Sequence, residues 1–333
     1  MQTFLDIGAD VAKDAVVVAC SAQSFPVHSV ANQRASLLAW LKSLPAGSRI
    51  GLESTGGYHE LLADLAHAQG HTVFLLNPLD TKHYARAMGN RAKTDRVDAE
   101  LIARLVAREH SRLRPYTPPT ASQRKLDRMI RRRAKIVRIK SSLQLTMRDL
   151  GGFSAELKAV LLKLDALIAR VDAAMSALAS CSPQHADAQQ RLQTIVGVGP
   201  VVGMALTNTL ERVPFRRADA FVAFVGYDPR ANDSGNKIGR RRLSKRGPAE
   251  LRRLLFNAAM AAVKSKVWKP IYEHYRALGW STTAALVIIA RKIARTAWSI
   301  HHYKSVFDPG QSLTRKGLQK MLDENHRISR RTE

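Results

Sequence analysis

The stretch Lys93-Thr94-Asp95-Arg96-Val97-Asp98-Ala99-Glu100 holds the most telling chemistry in the chain. Asp95 and Asp98 open a helical pattern running to Glu109, in which Val97, Leu101, Ile102, Leu105 and Val106 recur at helical spacing. Residues i and i+3 share a face, so the two carboxylates point into one volume. An acidic first turn complements the helix dipole, which is one reading of the pair. The other is a cation site, because carboxylates aimed at one spot repel until a cation separates them. Asp6, in Phe4-Leu5-Asp6-Ile7-Gly8, and Glu53, closing Arg49-Ile50-Gly51-Leu52-Glu53, favour the second reading if the fold brings them there. Four converging carboxylates call for hard divalent cations, and Mg²⁺ suits oxygen ligands. Two such ions about 4 Å apart can clamp the attacking and leaving oxygens of a phosphoryl transfer. Asp6-Ile7-Gly8 alone also fits the first phosphate loop of an actin-like kinase.

The elements that must position these groups follow from local pattern. Residues 4–8 read as a short buried strand and residues 9–13 as a turn. β-prone runs follow at 15–20 and 27–30, then a helix from Asn32 to Leu44. Arg49 to Glu53 forms a fourth strand with Ser54-Thr55-Gly56-Gly57 as its turn, Tyr58 to Ala68 a helix, and Thr72 to Leu76 a fifth strand. Asn77-Pro78 opens another helix to about Met88. Three meandering strands followed by alternating helix and strand is the order of an RNase H-like sheet. Its first and fourth strands are neighbours, which predicts that Asp6 and Glu53 share one edge. A strand carboxylate in that setting is costly without a neutralising partner.

Charge narrows the partner. Of 333 residues, 53 are Lys or Arg and 27 Asp or Glu, a formal balance of +26, which predicts attraction to a polyanion. Nucleic acid outranks membrane, since no stretch approaches the roughly 18 unbroken apolar residues of a span. The start lacks a signal-peptide pattern, and Cys20 and Cys181 are too few for a disulfide framework or a cysteine zinc site. A cytoplasmic protein is expected.

Beyond the linker at Pro115–Pro119, Leu126, Met129, Arg133, Ile136, Lys140, Leu143, Met147 and Leu150 follow steps of three and four, with two basic residues breaking the seam. Leu157, Leu161, Leu164, Ile168, Val171, Met175 and Leu178 repeat the pattern unbroken, predicting a helical hairpin or coiled coil. The first helix carries Arg128, Arg131, Arg132 and Lys135, a basic run suited to phosphate backbone. Gly197 and Gly199, in Val196-Gly197-Val198-Gly199-Pro200, read either as simple helix packing or as a helix-hairpin-helix turn whose amides bind phosphate. Phe215, Phe221, Phe224 and Tyr227 read as core. Ser234-Gly235 is followed by Lys237, Arg240, Arg241, Arg242, Ser244, Lys245 and Arg246, cations dense enough to hold a scissile phosphate while a serine attacks it. His301 and His302 lack a third metal partner at suitable spacing.

Leu5-Asp6-Ile7-Gly8 with Lys13, Glu53-Ser54-Thr55-Gly56, Asn77-Pro78 and Lys93-Thr94-Asp95-Arg96-Val97-Asp98-Ala99 resemble, in order and spacing, the DEDD transposases of the insertion-sequence-110 family, to which the Piv invertases are related. The resemblance implies a RuvC-like domain over residues 1–118 and a coiled coil over 119–190. It also implies a mostly helical transposase domain over 191–305 and a basic tail over 306–333. Asp6, Glu53, Asp95 and Asp98 then stand as the tetrad for two Mg²⁺ ions, with Lys93 and Thr94 as motif neighbours. Ser234 matches the nucleophile of the family's Ser-Gly motif, and Ser244, in Ser-Lys-x-Gly, reads as a helix cap or phosphate contact. The family implies strand cleavage and rejoining on double-stranded DNA through a serine–DNA bond. It further implies guidance by a structured non-coding RNA and dimers assembling to a tetramer whose halves meet across subunits. Alternatives are a junction-resolving endonuclease using metal-activated water, an actin-like kinase and a non-catalytic nucleic-acid scaffold.

Overall fold

A computed structural model describes residues 4–22, 25–54, 56–89, 94–230, 239 and 242–312. The chain divides into two compact units, residues 1–118 and 119–333. Lys93, Ser234, Lys237, Arg240 and Arg241 lie outside the described residues.

The first unit is a five-stranded mixed sheet with helices on both faces. Its elements are β1 (Asp6–Val11), β2 (Ala15–Cys20), β3 (His28–Ala31), α1 (Arg34–Ser43), β4 (Arg49–Glu53), α2 (His59–Ala68), β5 (Thr72–Leu76), α3 (Pro78–Ala87) and α4 (Asp95–Glu109). The strand order is β3-β2-β1-β4-β5; β1, β2 and β3 pair antiparallel, and β4 and β5 run parallel to β1. Alternation along the strands sorts the faces. Ile7, Ala9, Ile50 and Leu52 bury against Leu37, Trp40 and Leu41 of α1 and Leu62 of α2. Gly8 and Gly51 face α4. A Cβ on Gly8 would fall 2.1 Å from the Ala99 carbonyl oxygen, and one on Gly51 would fall 2.5 Å from Val106 Cγ2. The two glycines therefore let α4 lie directly on the sheet backbone, where Ile102, Leu105 and Val106 close a small core with Phe74 and Leu76.

β1 runs three residues further than expected, through Val11. The residues expected to form a turn, Ala9 to Val11, pair instead with β2 in an unbroken ladder, Ala9 with Val18 and Val11 with Val16. Asp10 is thus a strand residue.

Among its described residues the second unit is helical apart from a short ribbon. It contains α5 (Ala121–Thr146), α6 (Ser154–Ser180), α7 (Pro183–Gln193), α8 (Pro200–Arg212), α9 (Ala218–Val225), the ribbon β6 (Pro229–Arg230) and β7 (Arg242–Leu243), α10 (Ala249–Ala262), α11 (Lys269–Ala277) and α12 (Thr282–Tyr303). Thr120 and Gln123 form a capping box that starts α5. The two basic seam positions are explained by the facing helix. Arg133 engages both oxygens of Asp172, and Lys140 meets Asp165 at 2.5 Å, seven residues on along α5 and seven back along α6. Such half-exposed pairs contribute at most about 1 kcal/mol each, but their spacing discriminates this antiparallel register from its neighbours. The main core gathers Met204, Leu206, Phe221, Tyr227, Leu255, Trp268, Ile289 and Ile293. Among the described residues no helix is long and apolar enough to cross a membrane.

Candidate active site

The parallel register of β1 and β4 locates the carboxylates. Asp6 sits opposite Arg49 and Ala9 opposite Leu52, so continuing the ladder by one residue sets Asp10 beside Glu53. Glu53 ends its strand four residues beyond Arg49, roughly 13 Å at strand rise, so Asp6 and Glu53 lie at opposite ends of the pair. The expectation that they share an edge is corrected: the two strands are neighbours, but strand order leaves their register open. Asp6 also has a different partner. Arg49 Nε and Nη2 donate to its two oxygens at 2.5 and 2.8 Å, and the guanidinium lies 4.4 Å from the Phe4 ring centroid. That bidentate pair, with both side chains at most 15% exposed, neutralises Asp6 within the protein.

Asp10, Glu53 and Gly8 share the sheet face on which α4 lies. Ala99 packs over Gly8, placing Asp98 one residue from the crossing and Asp10 two residues along the strand. Asp98 is half-buried and Asp95 exposed at the first position of α4. Thr94 caps that helix, its hydroxyl accepting from the Val97 amide at 3.3 Å. Glu53 has an orienting neighbour that sequence reasoning missed. Asn77 caps α3 by accepting from the Leu79 amide at 2.9 Å, and Pro78 occupies its first turn. One turn along, buried Thr81 places its hydroxyl 3.1 Å from Glu53 Oε2 and 3.0 Å from the Pro78 carbonyl, so its single proton serves one of them at a time. The Asn-Pro dipeptide was the signal; its consequence for Glu53 needed the fold. Among the described residues no three His, Cys, Asp or Glu side chains are gathered closely enough to hold a metal ion. As donors, the carboxylates of Asp10, Glu53, Asp95 and Asp98 suit a hard divalent cation, whereas Asp6 is already committed to Arg49.

In the second unit, Ser234 falls in sequence between β6 and β7, whose base is well anchored. Ser244 is buried, contrary to a phosphate-facing role: its hydroxyl donates to Asp228 Oδ1 and its amide donates to the Asp228 carbonyl at 2.9 Å. Tyr227, buried so that its hydroxyl resists ionisation, donates to the Arg252 carbonyl at 2.7 Å. Arg252 Nη1 reaches the carbonyls of Val225 at 3.0 Å and Gly247 at 3.2 Å, joining both approaches to the ribbon. Arg242, Lys245 and Arg246 are exposed beside it. Gly197 has φ +98° and faces α10, where an added Cβ would fall 2.5 Å from the Ala258 carbonyl oxygen; Gly199 is exposed at the start of α8. Arg128, Arg131, Arg132 and Lys135 are exposed on α5, with Arg131 2.9 Å from Asp127.

A family model for IS110 DEDD transposases matches residues 7–150, and one described as "Transposase IS116/IS110/IS902 family" matches residues 189–276. The chain belongs to the IS110 family of transposases. It is similar to a probable family 20 transposase of Pseudomonas aeruginosa, at 26% identity over 91% of this chain and 98% of that protein. It is also similar to a pilin gene-inverting protein of Moraxella bovis, at 26% identity over 77% of this chain and 81% of the relative. A transposase for insertion sequence element IS1111A of Coxiella burnetii is 24% identical over 88% of each chain. The transposase is accordingly a DNA transposase or recombinase enzyme, and its family match begins one residue past Asp6.

Proposed function

We propose that the transposase cuts and rejoins double-stranded DNA with Ser234 as nucleophile and with Asp10, Glu53, Asp95 and Asp98 as the carboxylates that would take up divalent metal together with oxygens of the bound DNA. The observation that carries the carboxylate assignment is the β1–β4 register, which aligns Asp10 rather than Asp6 with Glu53. Both residues sit at the carboxyl ends of parallel strands, where open α/β sheets place their sites. The strand order β3-β2-β1-β4-β5 supports an RNase H-like reading of the first unit. When bound, Mg²⁺ would supply Lewis-acid stabilisation of the phosphate oxygens. Thr81 holds Glu53 in place, as hydrogen-bonded neighbours of metal ligands do.

The Ser234 hydroxyl forms a bond to phosphorus while a bridging phosphorus–oxygen bond breaks, leaving the cut strand with a free hydroxyl and the protein covalently joined to DNA. The reverse attack by a strand hydroxyl reseals DNA and frees the serine, so no external energy source is needed. Arg242, Lys245 and Arg246 stabilise charge on the phosphate, and Arg128, Arg131, Arg132 and Lys135 grip backbone. Backbone amides at the start of α8, beside Gly199, serve a further phosphate. A structured guide RNA reads sequence by base pairing, and copies of the chain assemble as dimers and tetramers around paired duplexes.

The test is purified protein with element-end DNA, guide RNA and Mg²⁺, resolved on a denaturing gel. A protein–DNA adduct that disappears in Ser234→Ala is expected. Cutting that persists in Ser234→Ala without adduct would assign a metal-activated water instead, the chemistry of a junction-resolving endonuclease.

A further inference from the structure

The last two turns of α12 carry an aromatic corner that the strand-transfer chemistry does not use. Trp298 is anchored in the unit, 9% exposed, with its indole N–H donating to the Phe215 carbonyl at 3.0 Å. His302, one turn on and exposed, stacks on it with ring centroids 4.6 Å apart and planes 11° from parallel. Tyr303 stands against His302 at 4.7 Å and 86°, and is 70% exposed. Two stacked rings with a third at right angles form a ledge and a wall, the innermost ring being rigidly held. Tyrosine offers a flat apolar face and a polar edge, which suits a partner built the same way.

The surroundings are cationic. Arg295 reaches Asp219 at 2.6 Å one turn before Trp298, so the segment from Phe215 to Asp219 runs antiparallel alongside α12. That segment carries exposed Arg216 and Arg217, and exposed Lys304 follows Tyr303 directly. Aromatic faces set among cations bind unpaired nucleotides, because every base offers a π face and every linkage a phosphate.

We propose that His302 and Tyr303, backed by Trp298, form a stacking platform for an unpaired base of single-stranded nucleic acid, with Arg216, Arg217 and Lys304 meeting the adjoining phosphates. The occupant is a flipped or looped-out nucleotide. Both a displaced DNA strand and an RNA loop present that chemistry. The platform rests on the nucleic-acid function of the chain but not on the serine mechanism.

The experiment is fluorescence anisotropy on the full chain with a labelled oligothymidylate, an oligouridylate and a duplex of matched length. It is run at raised salt, so that general backbone attraction is screened. Tyr303→Ala should weaken binding of at least one single strand by about 5- to 100-fold, the range for loss of one stacked base. Duplex binding should be unchanged, and Tyr303→Phe should restore the affinity. Loss confined to the uridylate assigns the platform to RNA, and loss confined to the thymidylate assigns it to a DNA strand. Equal binding of both single strands by Tyr303→Ala and the parent overturns the proposal, as it would if another part of the chain or a second copy covers this face. An equal loss for duplex and single strands overturns it too, because charge alone then explains the effect. The readout is equilibrium binding and not adduct formation, so failure of the serine reading remains visible separately, on the denaturing gel.

Discussion

Removing the charge of Asp6 leaves the Arg49 guanidinium, only 15% exposed, without its bidentate acceptor. Asp6→Asn should therefore lower the stability of the first unit by about 1–3 kcal/mol, the cost of a lost hydrogen bond to a charged group, as measured by denaturant midpoint. Once folded, it should still give the Mg²⁺-dependent adduct. Asp10→Asn should behave in the opposite way, keeping the fold and abolishing cleavage. If Asp6→Asn kills cleavage in folded protein and Asp10→Asn does not, the assignment drawn from the register is wrong. Ser244 and Ser234 separate on similar grounds. Ser244→Ala strips Asp228 of an internal donor and should cost about 1–2 kcal/mol of stability while still forming adduct. An adduct lost in well-folded Ser244→Ala would transfer the nucleophile to Ser244.

At the scale of elements, α4 depends on how closely β1 and β4 let it approach. Adding a Cβ at Gly8 drives it to 2.1 Å from backbone of α4, which no side-chain rotation relieves. Gly8→Ala should cost upwards of about 2 kcal/mol through displacement of the helix, read by thermal denaturation. The same displacement would carry Asp95 and Asp98 with it, so cleavage by the folded fraction should fall as well. For the hairpin, exchanging charges in Arg133→Asp with Asp172→Arg should recover most of the stability lost by either change alone. Failure to recover in that double-mutant cycle would mean that the pair does not set the register. The seam spacing was legible in the sequence, including its two basic positions. What they faced was not, because an antiparallel partner lies about forty residues away and its offset is set by loop length and packing.

At the scale of the whole chain, the +26 balance predicts DNA binding that weakens steeply with salt. Replacing Arg128, Arg131, Arg132 and Lys135 with alanine should flatten the slope of log affinity against log salt by about 0.9 for every phosphate no longer neutralised, measured by titration at several salt concentrations. An unchanged slope would make α5 a solvated face. Folding should depend on pH through His301, which burial holds below the ordinary imidazole pKa despite Glu211 nearby. Its stabilising contribution is present in full above its unfolded value, about 6.5, and is lost as pH falls through the depressed folded value. His301→Gln should show a shallower loss of denaturant midpoint on acidification than the parent.

Sequence alone determined the order of strands and helices in the first unit, the two long seam helices, the basic character and the transposase family. These follow from local periodicity, punctuation and motif order, which neighbouring residues encode directly. Asp10 shows where that information ends. Residues 9–13 around it read as a turn, yet pairing with β2 extends the strand through it, and register with β4 aligns it with Glu53. Tertiary structure likewise gave Asp6 to Arg49, turned Ser244 inward to Asp228 and placed Thr81 against Glu53. Each of these outcomes depends on how distant segments slide past one another, and a shift of one residue moves a strand side chain to the opposite face.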